Sequence, residues 1–342
     1  MKVASFFSGC GGLDIGAQAA GCEIVFGNDV VRDAADTFSQ QFPKAEVFNG
    51  PVSQLIASPD ADIFSGGYPC QSFSMGGRRD PGEDKRSDLY LDFVRMLNLG
   101  APRFFVAENV IGLMNLREGE FFKKQILELS KAANGYEISF SRMDAHRYGL
   151  AQRRSRVLIV GVRKDLRLKF EFPKPTHGSG LLDFVSHGDL IAHLPEWPEG
   201  EFYERKGGDG DNFPWYYMSR NRKAPWDGPS YTVVANWRHT TLHPASPAME
   251  LTWSNLKDGS KQRWDFTSNY EHLEKDANRR TLVKPRRLSW RECALLQGFP
   301  DGFLPAGGIQ SKFTQVGNAV PPPLAKLIFT GIVNGNSLIP IS

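Results

Sequence analysis

Short apolar runs alternate with longer segments of helical period through the first half of the chain. Val3 to Phe7, Glu23 to Gly27, Ile63-Phe64 and Arg103 to Ala107 predict strands, and Tyr136 to Met143 and Arg156 to Val162 predict two more. Leu13 to Ala20, Arg32 to Phe42, Leu89 to Leu99 and a segment from Phe121-Phe122 to about Ala133 predict helices. This alternation is the pattern of an α/β domain built on an open sheet. It stops after Phe172-Pro173-Lys174-Pro175. From Gly178 to Val283 the helical period is poor, and six of the seven tryptophans lie there. That stretch predicts a second, smaller domain of loops and short strands. Order returns at Pro285. Ser289-Trp290-Arg291-Glu292 has the form of a capping box opening a helix to Gln297, stopped by Gly298-Phe299-Pro300. Gln315 to Pro321 predicts a tight turn, and Leu324 to Val333 the last helix. The expected division is 1–177, 178–283 and 284–342, the last part returning to the first.

Composition narrows the class. With 41% hydrophobic and 23% charged residues the chain can fill a core, which argues against disorder. A net charge of +3 neither demands nor excludes a nucleic-acid partner, so any basic surface must be local. Cys10, Cys22, Cys70 and Cys293 form no CxxC and no zinc spacing, so neither a metal nor a disulfide framework is expected. Free thiols, no leader-like start and no apolar run of spanning length lead us to expect a cytoplasmic protein without membrane contact.

Several stretches carry candidate chemistry. The strand ending at Phe7 runs into Ser8-Gly9-Cys10-Gly11-Gly12 and then a helix, the opening of a nucleotide-binding βαβ unit. The spacing is G-x-G-G rather than G-x-G-x-x-G, which lowers a nicotinamide reading. Asp29 ends the second strand, where an acid can accept ribose hydroxyls or, more plainly, cap the next helix. Asp62 precedes the strand that leads through Gly66, Gly67 and Pro69 to Cys70. It is either a ligand for an adenine amino group or a turn acid. A cysteine at a strand end beside bent backbone is placed for reaction, although lone cysteines are most often small buried hydrophobes. Met75 to Asp88 is glycine-rich and charged, a surface-loop composition, with Arg78 and Arg79 able to meet phosphates. Glu108 sits at the carboxyl end of a buried strand, the edge where open α/β sheets bind ligands. Gln152-Arg153-Arg154-Ser155-Arg156 leads arginines into another strand, where they need an anionic partner; Glu108 is the natural candidate. Ser219 to Lys223 and Asn236 to Thr241 mix donors with an aromatic, a mixture suited to base edges and phosphates or to ordinary polar loops.

Taken in order, FFSGCGG, PCQSFS, ENV, QRRSR, RECALLQGFP and QVGNAVP resemble the motifs of the DNA (cytosine-5) methyltransferases of the bacterial modification type. The resemblance covers nearly the whole chain outside the middle region. It implies a doubly wound, Rossmann-like S-adenosylmethionine-dependent methyltransferase sheet with a smaller target-recognition domain. It further implies duplex DNA as partner, a monomer, and functional pairing with a restriction endonuclease. By resemblance Cys70 is the nucleophile that adds to cytosine C6. Glu108 holds or donates the proton at N3, Arg156 binds O2, and Arg154 helps orient Glu108. Phe7, Gly9, Gly11, Gly12, Asp29, Asp62, Ile63, Leu89 and Asn318 would hold S-adenosylmethionine. In the middle region MSRNR, Tyr231 to Val233 and LHPASPAM resemble members that modify GGCC-type sites, whereas Ala235 to Thr241 departs from them; Arg220, Arg222, Trp237 and Arg238, with Gln152, Arg78 and Arg79, are the expected DNA contacts. Two departures stand out: Val30 replaces a Trp common after the ribose acid, and Gly50-Pro51-Val52 replaces a common Gly-Asp-Ile. Other readings are a tRNA cytosine-5 methyltransferase of the same fold, a catalytically inactive DNA-binding relative, and a nicotinamide oxidoreductase.

Overall fold

The computed structural model describes residues 1–69, 89–202, 213–256, 259–267, 282 and 284–341. Cys70, Arg78 and Arg79 lie outside the described residues. The first part of the chain runs β1 (Lys2–Phe6), α1 (Gly12–Ala19), β2 (Glu23–Asp29), α2 (Arg32–Gln41), β3 (Glu46–Asn49), β4 (Ile63–Gly66), α3 (Leu89–Gly100) and β5 (Phe104–Val110). It continues through α4 (Gly112–Asn115), α5 (Glu120–Lys131), β6 (Tyr136–Asp144), β7 (Ser155–Arg163) and β8 (Leu168–Phe170). The middle stretch holds α6 (His187–Ile191), α7 (Trp215–Met218), β9 (Met249–Leu256) and β10 (Gly259–Phe266). Last come α8 (Trp290–Gln297), α9 (Ile309–Asn318), α10 (Pro322–Val333) and β11 (Leu338–Pro340).

Seven strands form one sheet in the order β3-β2-β1-β4-β5-β7-β6. The first five are mutually parallel, and β7 runs antiparallel to both β5 and β6. Side-chain alternation along the strands feeds two cores. Phe104 and Val106 of β5, with Leu158 and Val160 of β7, pack on the face that carries Leu13, Phe38, Leu324 and Ile328. Phe105 and Ala107, with Val157 and Ile159, pack on the face that carries Phe93, Leu97, Phe122 and Leu129. Helices α1, α2 and α10 therefore cover one side, and α3 and α5 the other. The strands read as continuous apolar runs because both faces are covered.

The end of the chain returns to the sheet. Helix α10 packs along α1, and β11 pairs antiparallel with β8. A third core around Trp290, Leu296, Phe313 and Val316 takes in Val233 and Ile191 from the middle stretch. Helix α8 opens with the expected capping box of Ser289 and Glu292 and closes on Gly298 at φ 83°. Two local expectations change. Gly66 is the last residue of β4 rather than lying beyond the strand, and a Cβ there would stand 2.9 Å from the Phe93 ring, so only a glycine lets α3 come that close. Gln315 to Asn318 is the last turn of α9 rather than a tight turn, and only Ala319 to Pro321 breaks the helix. Phe313 and Val316 anchor that turn in the third core, and tertiary packing overrides the turn composition.

Candidate active site

The carboxyl ends of β1, β2, β3 and β4 share one edge, and backbone there is bent toward open space. Phe7 takes a left-handed φ of 53°, unusual for a side chain of its size. The Ser8 amide donates to Asn28 O at 2.8 Å and holds the bend. Of the three glycines expected to approach a ligand, Gly9 alone faces open space, with φ 56°. Gly11 and Gly12 serve packing: a Cβ would stand 2.8 Å from the Phe42 ring at Gly11 and 2.4 Å from Val320 O at Gly12. The Gly12 contact brings the start of α1 against the segment just after Asn318, which ends α9 and is exposed. Leu89 opens α3 and is half-buried.

Asp29 stands at the centre of this edge. Its carboxylate accepts the Gly9 amide at 2.8 Å on Oδ2 and the Val31 amide at 2.8 Å on Oδ1. Burial pushes its pKa up, and the amide bonds oppose that shift. Each oxygen keeps a lone pair for a hydroxyl donor. It does not cap α2, whose N-cap is Val31. Beside it Asn28 Nδ2 donates to Phe48 O and Gly50 O, and the Gly50 amide donates to Asp29 O. These bonds stitch Gly50-Pro51-Val52 to the ligand edge.

Asp62 and Ile63 are not there. Both sit at the opposite, amino end of β4, roughly 10 Å of strand away from Gly66. Asp62 Oδ2 accepts the Lys2 amide at 2.9 Å, and Ile63 is fully buried in the core. In a parallel sheet the residue that begins a strand faces away from the ligand edge. Pro51 and Val52, which follow β3, stand at the carboxyl edge beside Asn28 and Asp29. The signal was present in the Gly50-Pro51-Val52 departure from Gly-Asp-Ile, but its place beside Asp29 depends on β3 pairing with β2.

Glu108 and Arg156 come together across β5 and β7, with Nε 2.6 Å from Oε1. They are diagonal neighbours: Glu108 lies opposite Leu158, and Arg156 opposite Val110. The other carboxylate oxygen points at the segment leading to Cys70. A side chain on Gly67 would begin 3.7 Å from Glu108 Oε2. Asn109 Nδ2 donates to Tyr68 O, and Tyr68 Oη donates to Gln125 Oε1, so this segment is held from two sides.

Arg154 and Gln152 are structural ties. The Arg154 guanidinium is fully buried and donates to Val233 O at 3.0 Å and to Gly317 O and Ala319 O at 2.9 Å each. Among the described residues it makes no bond to Glu108: three of its donors go to these carbonyls, and Nε is buried without a partner. Burial pulls its pKa down, with Arg156 adding to the effect. Gln152 is fully buried as well. It donates to Leu296 O and Gln297 Oε1 and accepts the Val233 amide, which leaves nothing for DNA.

The two polar loops of the middle stretch meet around Tyr217. Tyr217 Oη donates to Thr240 O at 2.7 Å. Arg222 stacks 4.9 Å from the ring centroid and Arg287 4.4 Å. Arg220 and Arg238 are exposed, and Arg238 lies over the Trp237 ring at 5.4 Å. Trp237 itself is half-buried against the third core, more a support than a reader. Among the described residues none of Arg220, Arg222, Arg238 and Arg287 has a carboxylate partner. Arg287 and His239 also belong to this surface and were not among the expected residues. His239 stood within a quoted loop, but nothing local ties Arg287 to residues 65 positions earlier.

The sheet therefore carries Asp29 and the Gly9 turn at one edge and the Glu108–Arg156 pair beside the Gly67–Pro69 segment, with arginines that lack a carboxylate partner among the described residues clustered around Tyr217. The family model for C-5 cytosine-specific DNA methylase matches residues 1–334. The chain is 37% identical over 340 residues to the Type II methyltransferase M.MthTI of Methanothermobacter thermautotrophicus, covering 95% of each. It is 34% identical over 375 residues to M.BsuRI of Bacillus subtilis, covering 98% of this chain and 79% of that one. Among solved structures, a DNA modification methyltransferase encoded within an E. coli prophage has a TM-score of 0.70 at 24% identity, covering 98% and 99%. S. pombe Dnmt2 has 0.64 at 14% identity, covering 98% and 99%; both likenesses concern the fold. The chain belongs to the C-5 cytosine-specific DNA methylases and is a DNA cytosine-5 methyltransferase. Among the described residues no group of His, Cys, Asp or Glu is arranged to hold a metal, and no single helix is long and apolar enough to cross a membrane.

Proposed function

We propose that this enzyme moves a methyl group to C5 of a flipped-out cytosine in a short duplex site, through a covalent Cys70–C6 adduct. The observation that carries the proposal is the Glu108–Arg156 pair, 2.6 Å apart, with the free Glu108 oxygen turned to the segment that ends at Cys70. S-adenosylmethionine, when bound, supplies the methyl group. The residues fit it: Gly9 leaves open space where any other residue would project a Cβ, Asp29 keeps lone pairs for ribose hydroxyls, and Pro51-Val52 with Phe7 flank the adenine side. Asn318 and Leu89 complete the edge.

Cytosine C5 is too weak a nucleophile to take a methyl group unaided. The Cys70 thiolate adds to C6 and the C5–C6 π electrons move toward N3, where Glu108 supplies a proton. Arg156 fixes the Glu108 carboxyl and offers its outer nitrogens to O2. C5 then takes the methyl group as N3 returns its proton to Glu108, a base removes the C5 proton, and the electron pair of that C–H bond re-forms C5=C6 and expels the thiolate. Extrusion of the base from the duplex costs a few kcal/mol, roughly. Arg220, Arg222, Arg238 and Arg287 offset it through phosphate and base contacts, with Arg78 and Arg79 assigned to the strand beside the flipped base.

We assign 1–177 and 284–342 to the catalytic domain and 178–283 to target recognition. The β8–β11 pairing and the α1–α10 contact support this division. The proposal includes a monomer acting on duplex DNA and functional pairing with a restriction endonuclease, which the Type II names of the relatives support. Bisulfite sequencing of a plasmid carried with this gene tests it. Methylated cytosines in one short sequence, absent with Cys70→Ala, are expected. An unmodified plasmid together with methylated tRNA would replace the DNA substrate by RNA.

A further inference from the structure

Among the described residues, the charged side chains around Tyr217 are donors. Arg220, Arg222, Arg238 and Arg287 carry only N–H groups, which suit phosphates and the guanine O6/N7 edge. They cannot accept the exocyclic amino hydrogens of cytosine N4 or adenine N6. The side-chain amides of the two loops are turned to their own backbone: Asn221 Oδ1 accepts the Lys223 amide, and Asn236 Oδ1 accepts the Arg238 amide. Thr240 Oγ1 is buried.

His239 differs from these arginines and lies among them. It ends the short 3-10 turn Trp237–His239, and its ring meets Tyr216 edge-on at 5.7 Å between centroids. Among the described residues no protein group bonds either ring nitrogen. Burial and the cations of Arg222, Arg287 and Arg238 around it hold the imidazole pKa below its usual value near 6.5. The neutral ring therefore has one N–H and one bare nitrogen.

We propose that His239 is an acceptor of the recognition surface and reads an exocyclic amino group on the major-groove edge of the target site. This deepens the DNA-methylation reading and rests on it. Within a field of cations, the bare nitrogen of a neutral imidazole favours N–H₂ over C=O at the base it faces. In the major groove, adenine N6 and guanine O6 occupy equivalent places, as do cytosine N4 and thymine O4. Loss of the acceptor therefore admits a transition at one position of the site and no transversion.

The test is the methylation pattern left on plasmid DNA by the wild type and by His239→Arg, His239→Leu and His239→Gln, with thermal unfolding as the folding control. Wild type is expected to discriminate sharply at every position of its site. His239→Arg, a pure donor, is expected to lose about tenfold in amino-over-keto selectivity at one position, roughly the 1–3 kcal/mol of a single base contact. His239→Leu is expected to relax the same position, and carries the test if the arginine variant does not fold. His239→Gln, which retains a carbonyl acceptor, is expected to keep the wild-type pattern. A uniform fall in methylation at all sequences, a newly tolerated transversion, or an unchanged pattern in both His239→Arg and His239→Leu would overturn the assignment. A wild-type plasmid with no methylated cytosine would instead overturn the reading on which it rests.

Discussion

Asp14, in the first turn of α1 behind the glycine turn, offers a quantitative check on the electrostatics of this fold. It is fully buried, and its one side-chain partner is the Ser5 hydroxyl at 3.1 Å, itself bonded from Ser65. Desolvation lifts its pKa from 3.8 to about 7, with the Ser5 bond opposing. The unfolded chain loses this proton near pH 3.8 and the folded chain near 7. Between those values the folded state holds the extra proton, so stability falls as pH rises, by about 4 kcal/mol over the full window. His187 works in the opposite direction. Burial pulls its pKa from 6.5 to about 4, with Nδ1 at the Gly228 carbonyl. Between those values the unfolded state holds the extra proton, so stability falls as pH drops, by about 3 kcal/mol. The two nearly cancel from roughly pH 4 to 6.5, and His243, also held well below its usual value by burial, adds to the His187 side. Single substitutions unmask the terms. Urea unfolding of Asp14→Asn at about pH 4.5, 6 and 8 should show a gain over the parent that grows with pH, toward about 4 kcal/mol. His187→Asn should show a relative gain that grows as pH falls. A difference from the parent that does not change with pH, in either variant, would refute the reasoning.

Three further outcomes are expected. Arg156→Lys, which replaces a fork by a point charge beside Glu108, should lower kcat by roughly 100-fold with DNA affinity within about threefold; rapid-quench and binding assays separate the two, and a loss confined to affinity would count against the pair as catalytic machinery. Arg154→Ala strands three buried carbonyls, and unfolding experiments should show a loss of about 3–5 kcal/mol; a variant as stable as the parent would remove Arg154 from its role as a tie. Arg238→Ala should weaken discrimination at one base position, whereas Gln152→Ala should destabilise the protein and leave the methylation pattern intact; the plasmid pattern reads both.

Much of this protein was legible along the chain because much of it is local. A strand, a glycine bend and a helix follow one another within twenty residues, so Phe7, Gly9 and the helix start declare themselves. The Ser289–Glu292 capping box and the Gly298 stop are short-range hydrogen bonding and left-handed backbone, which four or five residues specify. Glu108 and Arg156 were readable as partners because a buried strand cannot carry a cation without an anion. Direction and distance were a different matter. Asp62 and Asp29 look alike as acids beside strands, but one begins its strand and the other ends it, and only the shared direction of the strands makes those ends opposite edges. Arg154 and Gln152 look like exposed donors in a basic stretch until the return of α8 and α9 buries them against carbonyls. Arg287 joins Tyr217 and His239 only because the chain comes back after a long excursion. The residue types available for the chemistry were written in the sequence. Which of them face the ligand edge, and which are consumed in holding it together, was decided by strand direction and by hydrogen bonds between segments far apart in the chain.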